Sequence, residues 1–245
     1  MTEYRKKLYT NYFTNQAGRG FVKDQKKKFD EEEYYFTKEI LKFMPENRSA
    51  KILDIGCGTG SFLSACKNYG YNNIEGIDVS EEMVKIANEF GISEAKCGDL
   101  NEFLAGKNGC YDVITGMDII EHFTKDELMN LLETIKRSLK PYGIAVFRTP
   151  NVDAAFGTLY ANGDFTHENY LNKNSATQLM LAMGFKDLEV LPSYIEVKGF
   201  LKELLRKYLW SFYVKRYKME LFASGRSSSN ILFTPNMIII AKNNS

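Results

Sequence analysis

The chain lacks the features that mark several classes of protein. Its 245 residues include four cysteines (Cys57, Cys66, Cys97 and Cys110), which form neither a C-x-x-C pair nor the spacing of a zinc finger. No apolar run approaches the roughly 20 residues that a membrane-spanning helix needs, and the first residues lack the apolar core of a signal peptide. We therefore expect a soluble, cytoplasmic protein with reduced thiols.

The net charge and the number of histidines are also low. The 32 basic and 31 acidic residues leave a net charge of +1, so no global field attracts nucleic acid or anionic membranes. Only two histidines occur, His122 and His167. Any imidazole chemistry is limited to these two positions.

The most informative stretch is 51–60, where an apolar strand runs into Asp54 and then into glycines at every second position, Gly56, Gly58 and Gly60. Positions without a side chain let a backbone turn press against a ligand, and the following helix offers unpaired N–H groups. The pattern is D-x-G-x-G-x-G. It differs from the G-x-G-x-x-G of dinucleotide-binding folds, because Ser61 stands where their third glycine would fall.

Strand-like and helix-like segments alternate after residue 50, which predicts a parallel, doubly wound α/β sheet. Apolar strands are predicted at about 51–55, 74–79, 94–98, 111–116, 143–148, 186–191 and 236–242. Helices are predicted at about 60–69, 80–90, 125–139 and 174–183, after an amino-terminal helix that ends before Pro45.

With its D-x-G-x-G-x-G loop, the chain resembles the class I S-adenosylmethionine (SAM)-dependent methyltransferases. The resemblance implies a Rossmann-like, doubly wound seven-stranded sheet whose last strand is antiparallel. The methyltransferase domain would span 49–245, after an N-terminal helical arm at 1–48. Residues 193–235 would form an inserted helical cap between strands six and seven.

The resemblance also implies a cofactor site. Asp54 would supply negative charge near the amino acid moiety of SAM. Asp78 would accept hydrogen bonds from the ribose hydroxyls, and Asp99 would accept one from the adenine amino group. The other cofactor contacts would be Gly56, Cys57, Gly58, Gly60, Val79, Leu100 and Met117. A dinucleotide dehydrogenase could use Asp78 in the same way, but the glycine spacing disfavours it.

Two further segments concern the acceptor. The block 117–123 resembles the fourth-strand motif of methyltransferases that act on small molecules, quinone precursors and sugars. The segment 163–168, Gly-Asp-Phe-Thr-His-Glu, resembles the D-x-T-H-E segment of methyltransferases from bacterial surface-polysaccharide gene clusters. The function implied is O-methylation of a sugar hydroxyl in capsule or O-antigen biosynthesis. O-methylation of a quinone-like small molecule is the alternative, and a SAM-binding protein without catalysis is a third interpretation.

Methyl transfer to an alcohol requires removal of a proton, for which the sequence offers two routes. His122 or His167, with Glu121, could act as the general base. Alternatively Asp118, Glu121, His122 and His167 could hold a divalent metal, Mg²⁺, Mn²⁺ or Fe²⁺, as similar quinone-pathway enzymes do. A purely structural interpretation also stays open, in which the acids cap the next turn and His122 packs on the sheet edge.

The segment 198–218 has seven basic residues against one acid, with apolar residues at helical spacing. We favour a cap over the acceptor pocket or a homodimer contact, and keep peripheral contact with the inner face of the membrane as the alternative. A nucleic-acid partner is not expected, since the N/D-P-P-Y/F tetrapeptide is absent. In the aromatic amino-terminal arm, Tyr12 or Arg19 would touch ligand.

Overall fold

A single mixed sheet forms the centre of the molecule, which we describe from a computed structural model covering residues 3–10, 12, 14 and 25–244. The seven strands are β1 (Ile52–Ile55), β2 (Ile74–Asp78), β3 (Ala95–Cys97), β4 (Tyr111–Met117), β5 (Leu139–Pro150), β6 (Lys186–Pro192) and β7 (Asn236–Lys242). Their order is β3-β2-β1-β4-β5-β7-β6, and β7 is antiparallel to both of its neighbours. The predicted seven-stranded sheet with an antiparallel last strand is confirmed.

Helices flank this sheet, and the sequence predicted the longer ones but not the short helices at 3–9, 100–104 and 157–161. They are α1 (Glu3–Tyr9), α2 (Gln25–Glu39), α3 (Ser61–Asn68), α4 (Glu81–Glu89), α5 (Leu100–Leu104), α6 (Lys125–Ser138), α7 (Gly157–Ala161), α8 (Lys173–Ala182) and α9 (Phe200–Ala223). Ser80 caps α4, and Thr124 with Glu127 forms a capping box on α6. These caps satisfy backbone N–H groups that a helix start would otherwise leave unpaired.

Alternate residues of the central strands point to opposite faces of the sheet and build two apolar cores. Leu53 belongs to one core and Ile52 to the other, and the same alternation separates Ile114 from Val113. The second core also takes in Phe36 of α2, so α2 packs on the sheet as part of the fold. The first four strands are all parallel, so their carboxyl ends lie along one edge, which is where sites form in open α/β sheets.

The connection 193–235 between β6 and β7 contains the 24-residue helix α9, none of whose residues is buried. The predicted basic helix therefore exists and extends a little beyond 198–218. Among the described residues, no helix is long and apolar enough to cross a membrane. The division into an arm, a domain and a cap stays a prediction.

Candidate active site

The glycine loop follows β1 and turns the chain into α3. Gly60 adopts φ 80°, and a Cβ there would lie 2.9 Å from Cγ2 of Ile92, so both conformation and packing require glycine. Gly58 adopts φ 52°, and its N–H donates to Oδ2 of Asp78 at 2.8 Å. The loop is thereby fixed to the end of the second strand.

A cavity of about 440 Å³ opens over this loop at the carboxyl edge of the sheet. This volume falls within the range of roughly 300–1,000 Å³ typical of small-molecule sites. Apart from Gly60, all residues predicted to contact the cofactor line it: Asp54, Gly56, Cys57, Gly58, Asp78, Val79, Asp99, Leu100 and Met117. Gly60 shapes the turn without lining the cavity.

Asp54 lies at the bottom of the site and is 1% exposed. Thr115 on β4 donates a hydrogen bond to its Oδ1 at 2.8 Å. Burial, together with the nearby charge of Asp78, raises the pKa of Asp54 to about 7. A cation placed beside it would favour the ionised form.

The two other strand-end acids are already engaged by backbone N–H groups. Asp78 accepts from Gly58 through one oxygen and from Ser80 through the other, both at 2.8 Å, while burial raises its pKa. Asp99 caps α5 by accepting from Asn101 at 2.8 Å and Glu102 at 3.2 Å through Oδ1. A carboxylate has about four acceptor sites, so capping leaves both acids able to accept from a ligand.

Glu121, His122 and His167 come together at the acceptor side. One potential ligand atom from each lies within 4.8 Å of the other two. The two imidazole rings meet edge to face, with their centroids 4.8 Å apart. His122 lines the cavity, whereas Glu121 and His167 stand behind it. The structure thus brings together the three residues that the sequence proposed as catalytic.

A hydrogen-bond relay fixes the tautomer of His122. Thr166 donates from Oγ1 to the carboxylate of Asp164 at 2.7 Å, and lies 2.8 Å from Nδ1 of His122. Because the hydroxyl has a single proton and the carboxylate can only accept, Nδ1 of His122 must be the donor to Thr166. Nε2 of His122 is therefore unprotonated. Burial and the neighbouring His167 lower the pKa of His122 to about 4.

The same reasoning applies to His167. Its Nδ1 lies 2.8 Å from the carbonyl oxygen of Ala161. A carbonyl only accepts, so Nδ1 carries the proton and Nε2 keeps its lone pair. Both rings are held in the tautomer that a proton acceptor or a metal ligand requires.

Glu121 provides the carboxylate of the group and is 1% exposed. Its Oε2 accepts from Thr149 at 3.1 Å, while Oε1 is buried and has no hydrogen-bond partner among the described residues. Burial, reinforced by the charge of Asp118, raises the pKa of Glu121 well above its ordinary value. An unpaired buried oxygen beside two imidazole lone pairs is the kind of position that a proton or a cation fills.

Asp118, predicted as a fourth metal ligand, is engaged elsewhere. Both of its oxygens pair with the guanidinium of Arg148, with Nε at 3.0 Å from Oδ1 and Nη2 on Oδ2. Arg148 also contacts Glu39 at 3.5 Å and lies 4.8 Å from the Phe36 ring. The metal-ligand grouping in the described residues accordingly omits Asp118, which corrects that prediction.

The amino-terminal arm reaches over the site. Tyr9 and Tyr12 line the cavity, and the ring centroid of each lies 6.4 Å from that of His122. Tyr12 donates to Oδ2 of Asp164 at 2.8 Å, which adds a tyrosine to the relay behind His122. Arg19, the other arm residue expected to touch ligand, lies outside the described residues.

Sequence reasoning missed the residues that orient the histidines. Asp164 and Thr166 belong to the D-x-T-H-E segment, but the sequence singled out His167 alone. The insertion 193–235 was expected to cover the acceptor pocket, yet no residue of it is among those that line the cavity.

The comparisons identify the family. A methyltransferase domain family matches residues 29–190, about two thirds of the chain. The chain belongs to this methyltransferase family. The cofactor of this family is SAM, so the predicted enzyme class is confirmed. The cavity over the glycine loop is lined by nearly all of the residues predicted to contact that cofactor.

The methyltransferase has curated and structural relatives. It is 31% identical over 110 residues to the ubiquinone biosynthesis O-methyltransferase of Actinobacillus pleuropneumoniae, covering 41% of this chain and 46% of that protein. It thus spans less than half the length of that relative. A SAM-dependent methyltransferase structure from Archaeoglobus fulgidus superposes with a TM-score of 0.63 at 20% identity, covering 95% of this chain and 99% of the other. A possible histamine N-methyltransferase from Thermotoga maritima gives 0.63 at 18% identity, covering 95% and 96%. At these identities the structures support the fold alone.

Proposed function

We propose that this methyltransferase transfers the methyl group of SAM to a hydroxyl oxygen. The observation that carries the proposal is the group formed by Glu121, His122 and His167, in which both imidazoles keep Nε2 unprotonated next to a buried carboxylate. Transfer to oxygen of a weakly acidic alcohol needs proton removal, and this group supplies proton acceptors at neutral pH.

The chain's own residues would act as follows. The glycine loop, Asp54, Asp78 and Asp99 would hold SAM, the methyl donor, in the cavity that His122 also lines. Nε2 of His122 accepts the hydroxyl proton while the oxygen attacks the methyl carbon. The C–O bond forms as the C–S bond breaks, and the bonding pair stays on sulfur. The products are a methyl ether, S-adenosylhomocysteine and a proton on the imidazole. Alignment of the attacking oxygen and exclusion of water would provide the remaining rate acceleration.

A sugar hydroxyl, borne by a nucleotide or a polymer in capsule or O-antigen assembly, is the acceptor that we propose first. The segment 164–168, whose sequence resembles polysaccharide-cluster methyltransferases, supplies Asp164, Thr166 and His167 to the catalytic group. A sugar hydroxyl is a far weaker acid than a phenol, so its methylation depends more on a proton acceptor beside the attacking oxygen.

A phenolic hydroxyl of a quinone precursor is the second candidate. It is favoured by the relatives named ubiquinone biosynthesis O-methyltransferase, with 31% identity over 110 residues for the one from Actinobacillus pleuropneumoniae. A phenol ionises more readily, so loss of His122 would affect its methylation less than that of a sugar.

A divalent metal is compatible with the same three residues. With Asp118 held by Arg148, the donors are two imidazoles and one carboxylate, a set that suits Fe²⁺ or Mn²⁺ better than Mg²⁺. Bound there, a metal would act as a Lewis acid that lowers the pKa of the acceptor hydroxyl. Thr166 and Ala161 would then orient the two imidazoles as ligands.

The test is methyl transfer from labelled SAM to two acceptor panels, one of nucleotide sugars and surface oligosaccharides, the other of catechols and demethylated quinols. His122→Ala and His167→Ala should each lower turnover at least a hundredfold while SAM affinity, measured by calorimetry, changes little. Normal turnover in both variants would exclude both general-base catalysis by these histidines and catalysis by a metal that they bind. SAM binding without turnover on either panel would favour a non-catalytic SAM-binding protein.

Metal involvement is tested separately on the purified enzyme. Elemental analysis and activity before and after chelation distinguish the routes, since a metal-dependent enzyme loses turnover with EDTA and regains it with Fe²⁺ or Mn²⁺. Base catalysis predicts full activity in EDTA.

A further inference from the structure

Helix α9 presents an apolar face to solvent. Phe200, Leu204, Tyr208 and Phe212 follow one another at four-residue steps, and all are well exposed, from 58% at Leu204 to 82% at Phe200. Exposed side chains continue to Phe222, at the far end of a helix roughly 36 Å long. A contiguous apolar face of this size on a water-soluble surface marks an interaction site.

The opposite face of α9 attaches it to the protein. Trp210, Tyr213 and Tyr217 are half-buried, and their rings follow one another with centroids 5.2 and 5.8 Å apart. Tyr217 then meets Phe233 at 5.7 Å. The helix is therefore anchored on one side, and its outward apolar face is a fixed feature of the fold.

Basic side chains border this face. Residues 198–223 contain seven basic and two acidic residues, net +5, whereas the remaining 25 basic and 29 acidic residues give −4. By helical geometry, Lys207 and Lys218 lie along one border and Lys202 and Arg216 along the other, while Lys215 lies within the face itself. Long basic side chains can lay their stems on apolar surface while the charge reaches outward.

From this charge distribution we infer that α9 docks on an anionic lipid bilayer, lying in its interface. A second copy paired through the same helix would bring another +5 helix against the first, which is repulsive, whereas an anionic surface attracts it. Aromatic and aliphatic side chains between lysines are the composition of interfacial helices. The helix lies on the bilayer and does not cross it.

The anchored side of α9 contacts the segment that leads to the catalytic group. Tyr213 approaches the backbone of Ala155, and the neighbouring Phe156 and Leu159 are exposed. The same connection supplies the carbonyl of Ala161 that orients His167. Docking would hold this side of the enzyme near the lipid surface.

The experiment is co-sedimentation of the full chain with vesicles of phosphatidylcholine alone or with 30% phosphatidylglycerol, without use of the methyl-transfer reaction. We expect binding to the anionic vesicles that weakens as salt rises. The charge variant K207Q/K215Q/K218Q should lower the partition coefficient roughly a hundredfold, and the apolar variant L204Q/Y208Q/F212Q at least tenfold. All six residues are exposed, so folding should be unaffected, as checked by circular dichroism.

The matched control is M129Q/Y142Q/L181Q, which removes three exposed apolar side chains from other elements and should sediment like the unmodified chain. Equal binding to neutral vesicles, loss of binding in the control, or failure of the unmodified chain to sediment would each overturn the proposal. So would light scattering that shows a dimer dissociated by the apolar variant, with no vesicle binding.

Discussion

At the scale of single residues, Asp54 illustrates how burial sets a charge state. The fold places its carboxyl under the glycine loop, where Thr115 donates a hydrogen bond and, in the part of the chain that the structure describes, no positive side chain lies at hydrogen-bond distance. Its pKa therefore rises to about 7. The group is half protonated near neutral pH until a cationic ligand arrives.

We predict that SAM binding releases about half a proton at pH 7, because the positive charge of the cofactor draws Asp54 into its ionised form. SAM affinity should rise as pH increases from 6 to 8. Calorimetry in two buffers of different ionisation enthalpy measures the proton release directly. Asp54→Asn serves as the control and should abolish it. Identical enthalpies in the two buffers for the unmodified enzyme would contradict the prediction.

The relay behind His122 gives a second prediction. Thr166→Val keeps the shape of the side chain but removes the hydroxyl that accepts from Nδ1 of His122. We expect kcat to fall about 10- to 100-fold and its pH profile to shift, with SAM affinity unchanged. Thr166→Ser restores the hydroxyl and should recover most of the activity. A merely structural role would lower thermal stability and leave the pH profile in place.

The residues that the sequence could and could not identify differ in a physical way. Asp54 and the glycines are recognisable because the loop's chemistry is local to a short segment, and Asp78 because it ends the next predicted strand. The partner of Asp118 is not, because Arg148 reaches it only through the register that pairs Met117 with Arg148 in adjacent strands. Thr166 was missed for a related reason, since a threonine acquires its role only through the ring it contacts.

At the scale of elements, the arm helix α1 is held by one buried cation. Arg5 is 4% exposed and pairs with Glu127 at 2.7 Å and with Glu168 at 3.5 Å. A seven-residue helix has little stability of its own. These contacts, with Tyr9 and Tyr12 over the cavity, therefore keep the arm in place.

Arg5→Met should release the arm. We expect faster hydrogen exchange across 3–10 and roughly a tenfold rise in the KM for SAM, because the tyrosines then no longer close the cavity. Lys6→Met removes the same charge from an exposed neighbour and should change neither. Unchanged exchange in Arg5→Met would show that other contacts hold the arm.

The positions of most strands and helices were predictable, because the apolar pattern of a strand and the capping residues of a helix depend on residues close together in the sequence. The strands predicted at 186–191 and 236–242 match β6 and β7 to within a residue. The orientation of α9 was not predictable. Aromatic residues occupy both of its faces, so periodicity cannot tell which face packs on the protein and which faces water.

At the scale of the whole molecule, His122 affects stability at low pH. Its pKa of about 4 lies below that of the unfolded chain, about 6.5, so between these values the unfolded state binds more protons. Its contribution to the free energy of unfolding is therefore complete above pH 6.5 and is lost as pH falls towards 4. The buried carboxyls of Asp54 and Glu121 have raised pKa values, so their contributions to the free energy of unfolding change with pH in the opposite direction.

We predict that, between pH 7 and pH 4.5, the unmodified protein loses about 2 kcal/mol more unfolding free energy than His122→Gln. Urea denaturation at the two pH values measures both differences, and the carboxyl contributions cancel in the comparison. Equal losses in the unmodified protein and His122→Gln would contradict the assigned pKa.

The antiparallel course of β7 has a consequence for how such enzymes diversify. Since β6 ends where β7 begins, with Pro192 opposite Met237 and the N–H of Ser193 on the carbonyl of Asn236, the 43 residues of 193–235 leave and return at almost the same point. A stem closed in this way tolerates any length of chain beyond it, because no strand has to shift. Evolution could therefore replace the segment 193–235 without altering the sheet, and so direct the same catalytic domain to different surfaces.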